Sequence, residues 1–261
     1  MNATIAMNMF AMDFLKLRRK RSTLIWALVL ALGPVIVFFA VSAIEHSSNP
    51  AHYGPAGGLG SFHDGLRLLG GLFFGPLVAI LIGVEAGTTD ASAGVFRDLV
   101  VTGRSRVALF ASRIPAALAM CWALVLTSYA LIVAGTFVFA SNLTTPGTAL
   151  ILNGLGFLLL ATGAICVLAV GFASLTTSKP GAIIALIAWQ LVAGPLISSI
   201  GSLGDARNGV LDQALEHFSP LPLGDRDASI TMSGATAVIV ILVWLAVFIA
   251  LGAWRTRTMD A

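Results

Sequence analysis

The sequence predicts an all-α membrane protein with several transmembrane helices. Of its 261 residues, 57% are hydrophobic and only 10% are charged, whereas charged residues approach a quarter of an ordinary soluble domain. Six windows are long and apolar enough to cross about 30 Å of hydrocarbon, which takes a helix of about 20 residues. We therefore expect a single transmembrane domain that covers residues 1–261.

The six predicted spans are distributed over the whole chain. The apolar windows cover residues 24–44, 67–87, 107–139, 148–175, 180–200 and 233–254. The third window is too long for one span, and Pro115 near its start predicts a break. We therefore assign residues 115–139 to the third span and residues 107–114 to a lead-in helix. No small-residue cleavage site follows the basic cluster early enough for the first span to be a cleavable signal peptide.

The distribution of lysine and arginine predicts the orientation of the spans. With the N-terminus inside, twelve of the fifteen lysines and arginines lie on the cytoplasmic side, and three lie outside, namely Arg67, Arg207 and Arg226. Cytoplasmic loops of multispanning proteins carry this excess of positive charge. Both termini are therefore expected in the cytoplasm.

Residues 1–22 predict an amphipathic helix that precedes the first span. Ile5, Met9 and Met12 recur at helical spacing, and the basic run KLRRKR starts at Lys16. Such a helix lies along the inner leaflet, with its basic residues among the lipid headgroups. The alternative is that the basic run only anchors the first span.

Glu85 is the most informative residue within the spans. A carboxylate close to the membrane boundary is costly unless it is paired, protonated or in contact with water, so it is a candidate functional residue. Arg97, Arg104 and Arg113 are its candidate partners in the following segment. The alternative is a structural ion pair that fixes the loop to the span.

A charged helix is predicted between spans two and three. Thr88, Thr89 or Asp90 can cap its start, and Gly103 suits the left-handed residue that closes a helix. A charged, capped helix held between two spans is suited to contact a partner outside the bilayer. We expect this helix to be the site at which a partner protein pushes.

Four other residues in the spans are candidates for a substrate pathway. Trp189 and Gln190 lie near the middle of span five, and Phe73 and Phe74 lie in span two. They would line a cavity for an amphipathic drug, peptide or lipid. The alternative is that they pack against neighbouring helices, which is common for such residues.

The segment between spans five and six predicts a short amphipathic helix at the outer leaflet. Leu211, Ala214, Leu215 and Phe218 share one helical face, while Asp212 and Glu216 take the other. We therefore expect the two carboxylates to face away from the apolar surface.

Motifs for soluble chemistry and for metal binding are absent from the sequence. It contains no GxxxxGK[ST], HExxH or GxSxG pattern, so the chain is not expected to hydrolyse ATP by itself. His46, His52 and His63 lie in the first outside loop, residues 45–66, and match no zinc spacing. We expect that loop to be flexible and polar, and we expect no catalytic residue, no metal site and no nucleic-acid partner.

Together these features resemble a type-2 ATP-binding-cassette (ABC-2) permease. The family's ordered pattern of a glutamate, Gly-Thr, two leucines and Ser-Arg is matched at Glu85, Gly87-Thr88, Leu99-Val100 and Ser105-Arg106. The chain departs from the pattern in two places. Val100 replaces the second leucine, and Gly103-Arg104 stands where a proline commonly precedes Ser-Arg, which leaves the subfamily open.

The resemblance implies a half-transporter that exports its substrate across the plasma membrane of a prokaryote. Two permease copies, identical or related, would form the pathway in the lipid, and separate cytoplasmic ATPase subunits would bind ATP and Mg²⁺. No cofactor is then expected in this chain. The helix of residues 90–102 would insert into the ATPase. The residues implied in this coupling are Glu85, Val95, Phe96, Arg97, Asp98, Leu99, Arg104 and Arg106.

Two other classes are alternatives to this interpretation. A secondary transporter or channel driven by an ion gradient would have no ATPase partner, but it usually shows inverted repeats and several intramembrane ionisable residues. A membrane-embedded enzyme needs a cluster of polar catalytic groups at one depth. Only Glu85 qualifies as an intramembrane ionisable residue, and this favours the ABC-2 permease.

Overall fold

The helices of this protein are seen in a computed structural model that describes residues 3–70, 73–92, 105–176, 178–221 and 232–258. Within those ranges every regular element is a helix, and no strand occurs. The chain is therefore an all-α protein, as the composition predicts.

The N-terminal part of the chain forms two consecutive helices. Helix α1 covers Ala3–Arg19, and helix α2 covers Arg21–Ser48. The second of these is long and apolar enough to cross a membrane. A helix thus occupies the segment predicted as interfacial, and its place on the lipid surface stays a prediction.

Span two is built from two helices. Helix α3 covers Gly58–Gly70, and helix α4 covers Phe74–Ser92. The first of these occupies much of the stretch predicted as a flexible polar loop, and that part of the prediction is wrong. Phe62, Leu66 and Leu69 recur at helical spacing and are fully buried against the bundle, which holds this part of the chain in a helix.

The third and fourth spans are long helices. Helix α5 covers Arg106–Val138, and helix α6 covers Thr148–Leu175. The break predicted at Pro115 is absent, because α5 continues through this residue. A proline removes one N–H donor, and a membrane helix tolerates that loss where neighbouring helices support it.

The fifth span contains an irregular turn at its centre. Helix α7 covers Lys179–Ala188, a π-helical turn covers Trp189–Ala193, and helix α8 covers Gly194–Ser199. In the π-helical turn the N–H of Gly194 donates to Trp189 O, five residues earlier. One residue is thereby inserted into the helical ladder, which rotates the residues that follow.

A connecting segment, residues 201–218, leads from span five towards span six. It contains a 3₁₀ helix at Gly201–Gly209 and helix α9 at Leu211–Glu216. Helix α10, Gly234–Thr258, then forms the sixth span. Leu211, Ala214 and Leu215 are buried, so most of the predicted apolar face is used for packing, whereas Phe218 lies beyond the end of α9 and is 37% exposed.

Helices α4 and α6 form the centre of the bundle and make its most extensive interhelical contact. A Cβ atom on Gly83 would lie 2.6 Å from Cys166 O, and one on Gly87 would lie 2.7 Å from Val170 O. Only glycine fits at these positions without movement of the facing backbone, and small residues of this kind let membrane helices approach closely.

Six helical segments within the described residues are long and apolar enough to span a membrane. They are α2, α3 together with α4, α5, α6, α7 together with α8, and α10. Their number and order agree with the six predicted windows. The chain is a multi-pass membrane protein.

Candidate functional site

Glu85 lies on the buried side of α4, seven residues before the helix ends at Ser92. This distance is about 10 Å along the helix axis. The residue is only 3% exposed. A carboxylate in such a place requires hydrogen-bond donors or a positive charge to replace the water it has lost.

Two other spans supply those donors. Thr23 Oγ1, at the start of α2, donates to Glu85 Oε2 at 2.7 Å. Lys179 Nζ, at the start of α7, donates to the same carboxylate oxygen and also to Thr23 Oγ1 at 3.2 Å. Lys20 Nζ lies 3.9 Å from Glu85 Oε1. We call these four residues the glutamate junction, and it joins the ends of spans one, two and five.

The two lysines contribute unequally to the junction. The side chain of Lys179 is 36% exposed and makes a direct charged hydrogen bond, whereas the side chain of Lys20 is 51% exposed and lies at the limit of an ion pair. Water screens an exposed pair more strongly than a buried one. Lys179 is therefore the main counter-ion of Glu85.

The predicted partners of Glu85 are Arg97, Arg104 and Arg113, and the partners that the structure describes include two lysines. Arg113 is buried in α5, and its Nη1 donates to Gly87 O at 3.3 Å. It holds the backbone of α4 near Glu85, but the ion pairs of Glu85 among the described residues are with lysines. Arg97 and Arg104 lie outside the described residues. The prediction of Arg113 as the partner is therefore wrong.

The sequence pattern predicts that Thr88 or Thr89 caps the start of a new helix. In the structure neither residue does so. Helix α4 continues through both residues and through Asp90. Thr88 Oγ1 donates to Val84 O at 2.8 Å, and Thr89 Oγ1 donates to Glu85 O at 2.5 Å. Threonine hydroxyls that donate to the carbonyl four residues earlier are compatible with an uninterrupted helix, so span two extends past the predicted start of the charged helix.

The first turns of α5 are connected to both ends of the chain. Arg106 Nη1 donates to Arg257 O at 3.1 Å, which ties span three to the end of span six. Ser112 Oγ donates to Asp13 Oδ2 at 2.6 Å, and Lys16 forms an ion pair with Asp13 at 3.1 Å. Helices α1 and α10 are thus both held at the same end of α5.

The remaining residues implied in coupling lie between α4 and α5. Residues 93–104 connect the two helices and lie outside the described residues. They include Val95, Phe96, Arg97, Asp98, Leu99 and Arg104, so the predicted charged helix stays a prediction. The glutamate junction precedes this stretch, and the Arg106–Arg257 contact follows it.

The four predicted pathway residues belong to two separate parts of the chain, Phe73-Phe74 and Trp189-Gln190. The ring centroids of Trp189 and Trp244 are 5.5 Å apart, and Gln190 is buried. Phe73 is exposed, and Phe74 is half-buried at the start of α4. Among the described residues, no ring contact or hydrogen bond joins the two phenylalanines to Trp189 or Gln190.

Asp212 is a half-buried residue that the sequence pattern places on the wrong side of α9. Its carboxylate faces span five, where Oδ1 accepts a hydrogen bond from Gln190 Nε2 at 3.1 Å, and Oδ2 is buried without a hydrogen-bond partner among the described residues. Burial raises the pKa of Asp212 to about 6, against the opposing effect of the Gln190 hydrogen bond. The glutamine in the middle of span five is the one sequence feature that indicates a polar partner here.

These features define a helical membrane protein whose spans are linked by charged contacts at one end of the bundle. Residues 9–193 match the profile of the ABC-2 family transporter protein, which is well over half of the chain. The match runs from α1 to the π-helical turn of span five. A comparison with curated proteins finds no match.

The chain belongs to the ABC-2 transporter family and is an ABC transporter permease. Membership of this family implies a partnership with an ABC ATPase. The resemblance stated on the Glu85-to-Arg106 pattern is therefore confirmed at the level of the family.

Proposed function

We propose that this chain forms the substrate pathway of an ATP-driven exporter and that the glutamate junction passes the movement of a separate ATPase to the membrane spans. ATP and Mg²⁺ would be bound by the ATPase subunit. The observation that carries the proposal is the position of Glu85 in the glutamate junction, seven residues before α4 ends at Ser92, directly before residues 93–104.

A push on residues 93–104 would reach most of the bundle. At one end, α4 is joined through Glu85 to Thr23 of span one and Lys179 of span five. At the other end, Arg106 is joined to the last turns of span six. Packed helices connected in this way move as units between discrete arrangements. The segment is therefore well placed to act on five spans at once, namely spans one, two, three, five and six.

The contact surface for the ATPase would be provided by the predicted helix of residues 90–102. Val95, Phe96 and Leu99 would pack into the ATPase, while Arg97, Asp98 and Arg104 would set its orientation. An apolar anchor surrounded by charged residues is a common arrangement in protein interfaces.

The positive charges support a cytoplasmic position for this end of the bundle. Lys20, Lys179, Arg106, Arg113 and Arg257 all take part in the contacts around α4 and α5. The positive-inside rule assigns such a concentration of lysine and arginine to the cytoplasmic side. Both termini would then be cytoplasmic, in the plasma membrane of a prokaryote.

A second permease copy, identical or related, would complete the pathway. Many large apolar side chains of α2, span five and α10 are exposed on the single chain. These surfaces would contact lipid and the second copy. Phe73, Phe74, Trp189 and Gln190 stay our candidates for contacts with an amphipathic substrate, and the direction of transport follows from the family resemblance.

The partnership is tested by purifying the tagged, full-length chain from its own host in mild detergent. We expect an ABC ATPase to be recovered with it and to be identified by mass spectrometry. Phe96→Ala and Arg97→Ala should each reduce that recovery several-fold. Phe137→Ala and Arg207→Ala are matched controls, because both residues lie outside the proposed contact, and they should leave recovery unchanged. Full recovery and undiminished transport in both Phe96→Ala and Arg97→Ala would refute the contact.

The role of the glutamate junction is tested in the assembled transporter with Glu85→Gln. This change keeps the size of the side chain but removes the charge that binds Lys179. We expect the ATPase to be recovered in full while substrate transport per ATP hydrolysed falls by about tenfold, the effect of about 1.4 kcal/mol. Glu45→Gln makes the same chemical change at an exposed position and should have no effect. Unchanged transport per ATP in Glu85→Gln would show that the junction is only structural.

A further inference from the structure

Asp212 occupies a position that suits a neutral carboxyl better than an ionised one. Its Oδ1 accepts one hydrogen bond from Gln190, while Oδ2 is buried and has no hydrogen-bond partner in the part of the chain that the structure describes. A buried carboxylate oxygen without a donor is costly, because it has lost water and gained nothing in exchange. A protonated carboxyl avoids that cost and becomes a donor itself.

A backbone carbonyl oxygen lies in the surroundings of Oδ2. A Cβ atom on Gly194 would lie 2.9 Å from Asp212 Oδ2 and 3.3 Å from Trp189 O, so both oxygens lie beside the same glycine. Trp189 O accepts the N–H of Gly194 across the π-helical turn. A carbonyl oxygen has two lone pairs and can accept a second hydrogen bond.

The elements packed against the connecting segment bring no charged partner to Asp212 among the described residues. The segment packs against α6, α8 and α10. The first carries Cys166 as its only titratable residue, α8 carries none, and the arginines of α10 lie at its far end. Lys179 of span five is bound to Glu85, also at the far end of its span.

The charged groups of the connecting segment itself are directed elsewhere. Asp205 is exposed, and Arg207 donates to Gly204 O at 3.1 Å and to Ser198 O at 3.5 Å. Glu216 ends α9, and the ring of His217 packs on Phe218. None of these residues forms an ion pair with Asp212.

We propose that Asp212 is a proton-binding site that fastens the connecting segment to span five. With the proton bound, α9 docks at the π-helical turn through both carboxyl oxygens. Without the proton, the docked segment holds a buried negative charge and its docking weakens. The buried residues Leu211, Ala214 and Leu215 and the hydrogen bond from Trp244 Nε1 to Gly209 O keep part of the contact in either state.

The direction of the pH dependence follows from the two states of the segment. Burial raises the pKa of docked Asp212 to about 6 from an ordinary value of 3.8. Below about pH 4 both states carry the proton and docking is strongest. Above about pH 6 the docked state is ionised and docking is weakest. Proton linkage then predicts that the docking equilibrium falls about tenfold between pH 5 and pH 7.5.

The test is hydrogen–deuterium exchange of the amides of residues 211–218 in the full-length chain, reconstituted in lipid nanodiscs without nucleotide. After correction for the intrinsic effect of pH on exchange, protection should be about tenfold higher at pH 5 than at pH 7.5. Asp212→Asn should remove this difference, because a neutral amide both accepts and donates at any of these pH values. Asp205→Asn is the matched control, and it should keep the tenfold difference.

Two results would overturn the proposal. One is protection in the wild-type chain that does not change with pH, and the other is the wild-type pH dependence in Asp212→Asn. If Asp212→Asn does not fold, Gln190→Met gives a second test. It removes the hydrogen bond that favours the ionised form, so the midpoint of the transition should move to higher pH, and an unchanged midpoint would also refute the site. Because no nucleotide or ATPase is present, these results are independent of the coupling proposal.

Discussion

Lys179 and Glu85 lie 94 residues apart in the sequence, and their side chains are joined by a charged hydrogen bond. The bond connects the first turn of span five to the end of span two. Thr23 of span one donates to the same carboxylate oxygen, at 2.7 Å. Span two cannot move at this level without moving or breaking both contacts, and this property makes the glutamate junction our candidate for transmission.

Removal of Lys179 should destabilise the protein more than removal of Lys20. Lys179→Met leaves a carboxylate that is only 4% exposed without its main counter-ion. We expect a loss of about 2 kcal/mol, less than for a fully buried pair because Lys179 is partly exposed. Lys20→Met, which removes the looser contact at 3.9 Å, should cost less than about 1 kcal/mol. Thermal unfolding in detergent measures both, with Arg19→Met, an exposed cation, as control. Equal losses for the two lysines would contradict the unequal roles.

The close approach of α4 and α6 should be sensitive to a single methyl group. Gly83→Ala would place its Cβ 2.6 Å from Cys166 O, and a backbone carbonyl cannot move aside cheaply. We expect a loss of about 1–3 kcal/mol, the usual cost of overpacking.

Gly156→Ala is the matched control for this change. Gly156 also lies in a membrane-spanning helix, α6, but nothing lies within 4 Å of a Cβ atom added to it. Its replacement should be neutral or stabilising by up to about 1 kcal/mol, because alanine restricts the unfolded chain. Similar losses of thermal stability in both variants would show that steric contact at Gly83 is not the cause.

The number of spans could be predicted from the sequence because the membrane makes it a local property. A span requires about 20 consecutive apolar residues, and this requirement can be counted without knowledge of the packing. Helix α3 could not be predicted in this way. Its sequence contains His63, Asp64 and Arg67 among several glycines, and its apolar face becomes evident only when Phe62 and Leu66 pack against the bundle.

The contacts of Glu85 and Asp212 could likewise be predicted only in part. The high cost of a carboxylate near the membrane predicts that Glu85 requires a partner. Which residue fills that place depends on how the spans pack, and the sequence neighbours of Glu85 suggest an arginine where the structure has Lys179 and Thr23. The π-helical turn at Trp189–Ala193 and the inward direction of Asp212 likewise depend on contacts between distant parts of the chain.

The contact between Asp13 and Ser112 should hold α1 against span three. Asp13 Oδ2 accepts a hydrogen bond from Ser112 Oγ at 2.6 Å. Asp13→Ala removes this bond and the ion pair to Lys16, which together contribute about 1–2 kcal/mol. Trypsin should then cleave the basic run that starts at Lys16 several-fold faster. Ser112→Ala should have a smaller effect in the same direction.

Met12→Ala is the control for the proteolysis experiment. Met12 is 52% exposed and its loss removes no polar contact, so the rate of cleavage should stay at the wild-type value. A rate that rises equally in Met12→Ala would show that any change in α1 exposes the basic run. The specific role of Asp13 would then be refuted.

The hydrogen bond from Trp244 to Gly209 should stabilise the docked connecting segment at every pH. Trp244 Nε1 donates to Gly209 O at 2.9 Å, and its ring stacks on Phe248 with centroids 5.8 Å apart. Trp244→Phe keeps an aromatic ring but removes the donor. The loss of one such bond, about 1 kcal/mol, should lower the protection of the amides of residues 211–218 about fivefold.

The pH dependence of the loss in protection distinguishes the contribution of the Trp244 indole from that of the Asp212 carboxyl. Trp244 carries no titratable group, so the fivefold loss in Trp244→Phe should be the same at pH 5 and pH 7.5, and the ratio between the two pH values should stay at about ten. Trp254→Phe changes an exposed residue at the far end of the same helix and should leave protection unaltered. A loss confined to one pH would show that the indole and Asp212 act as one coupled contact, since independent contacts contribute additively.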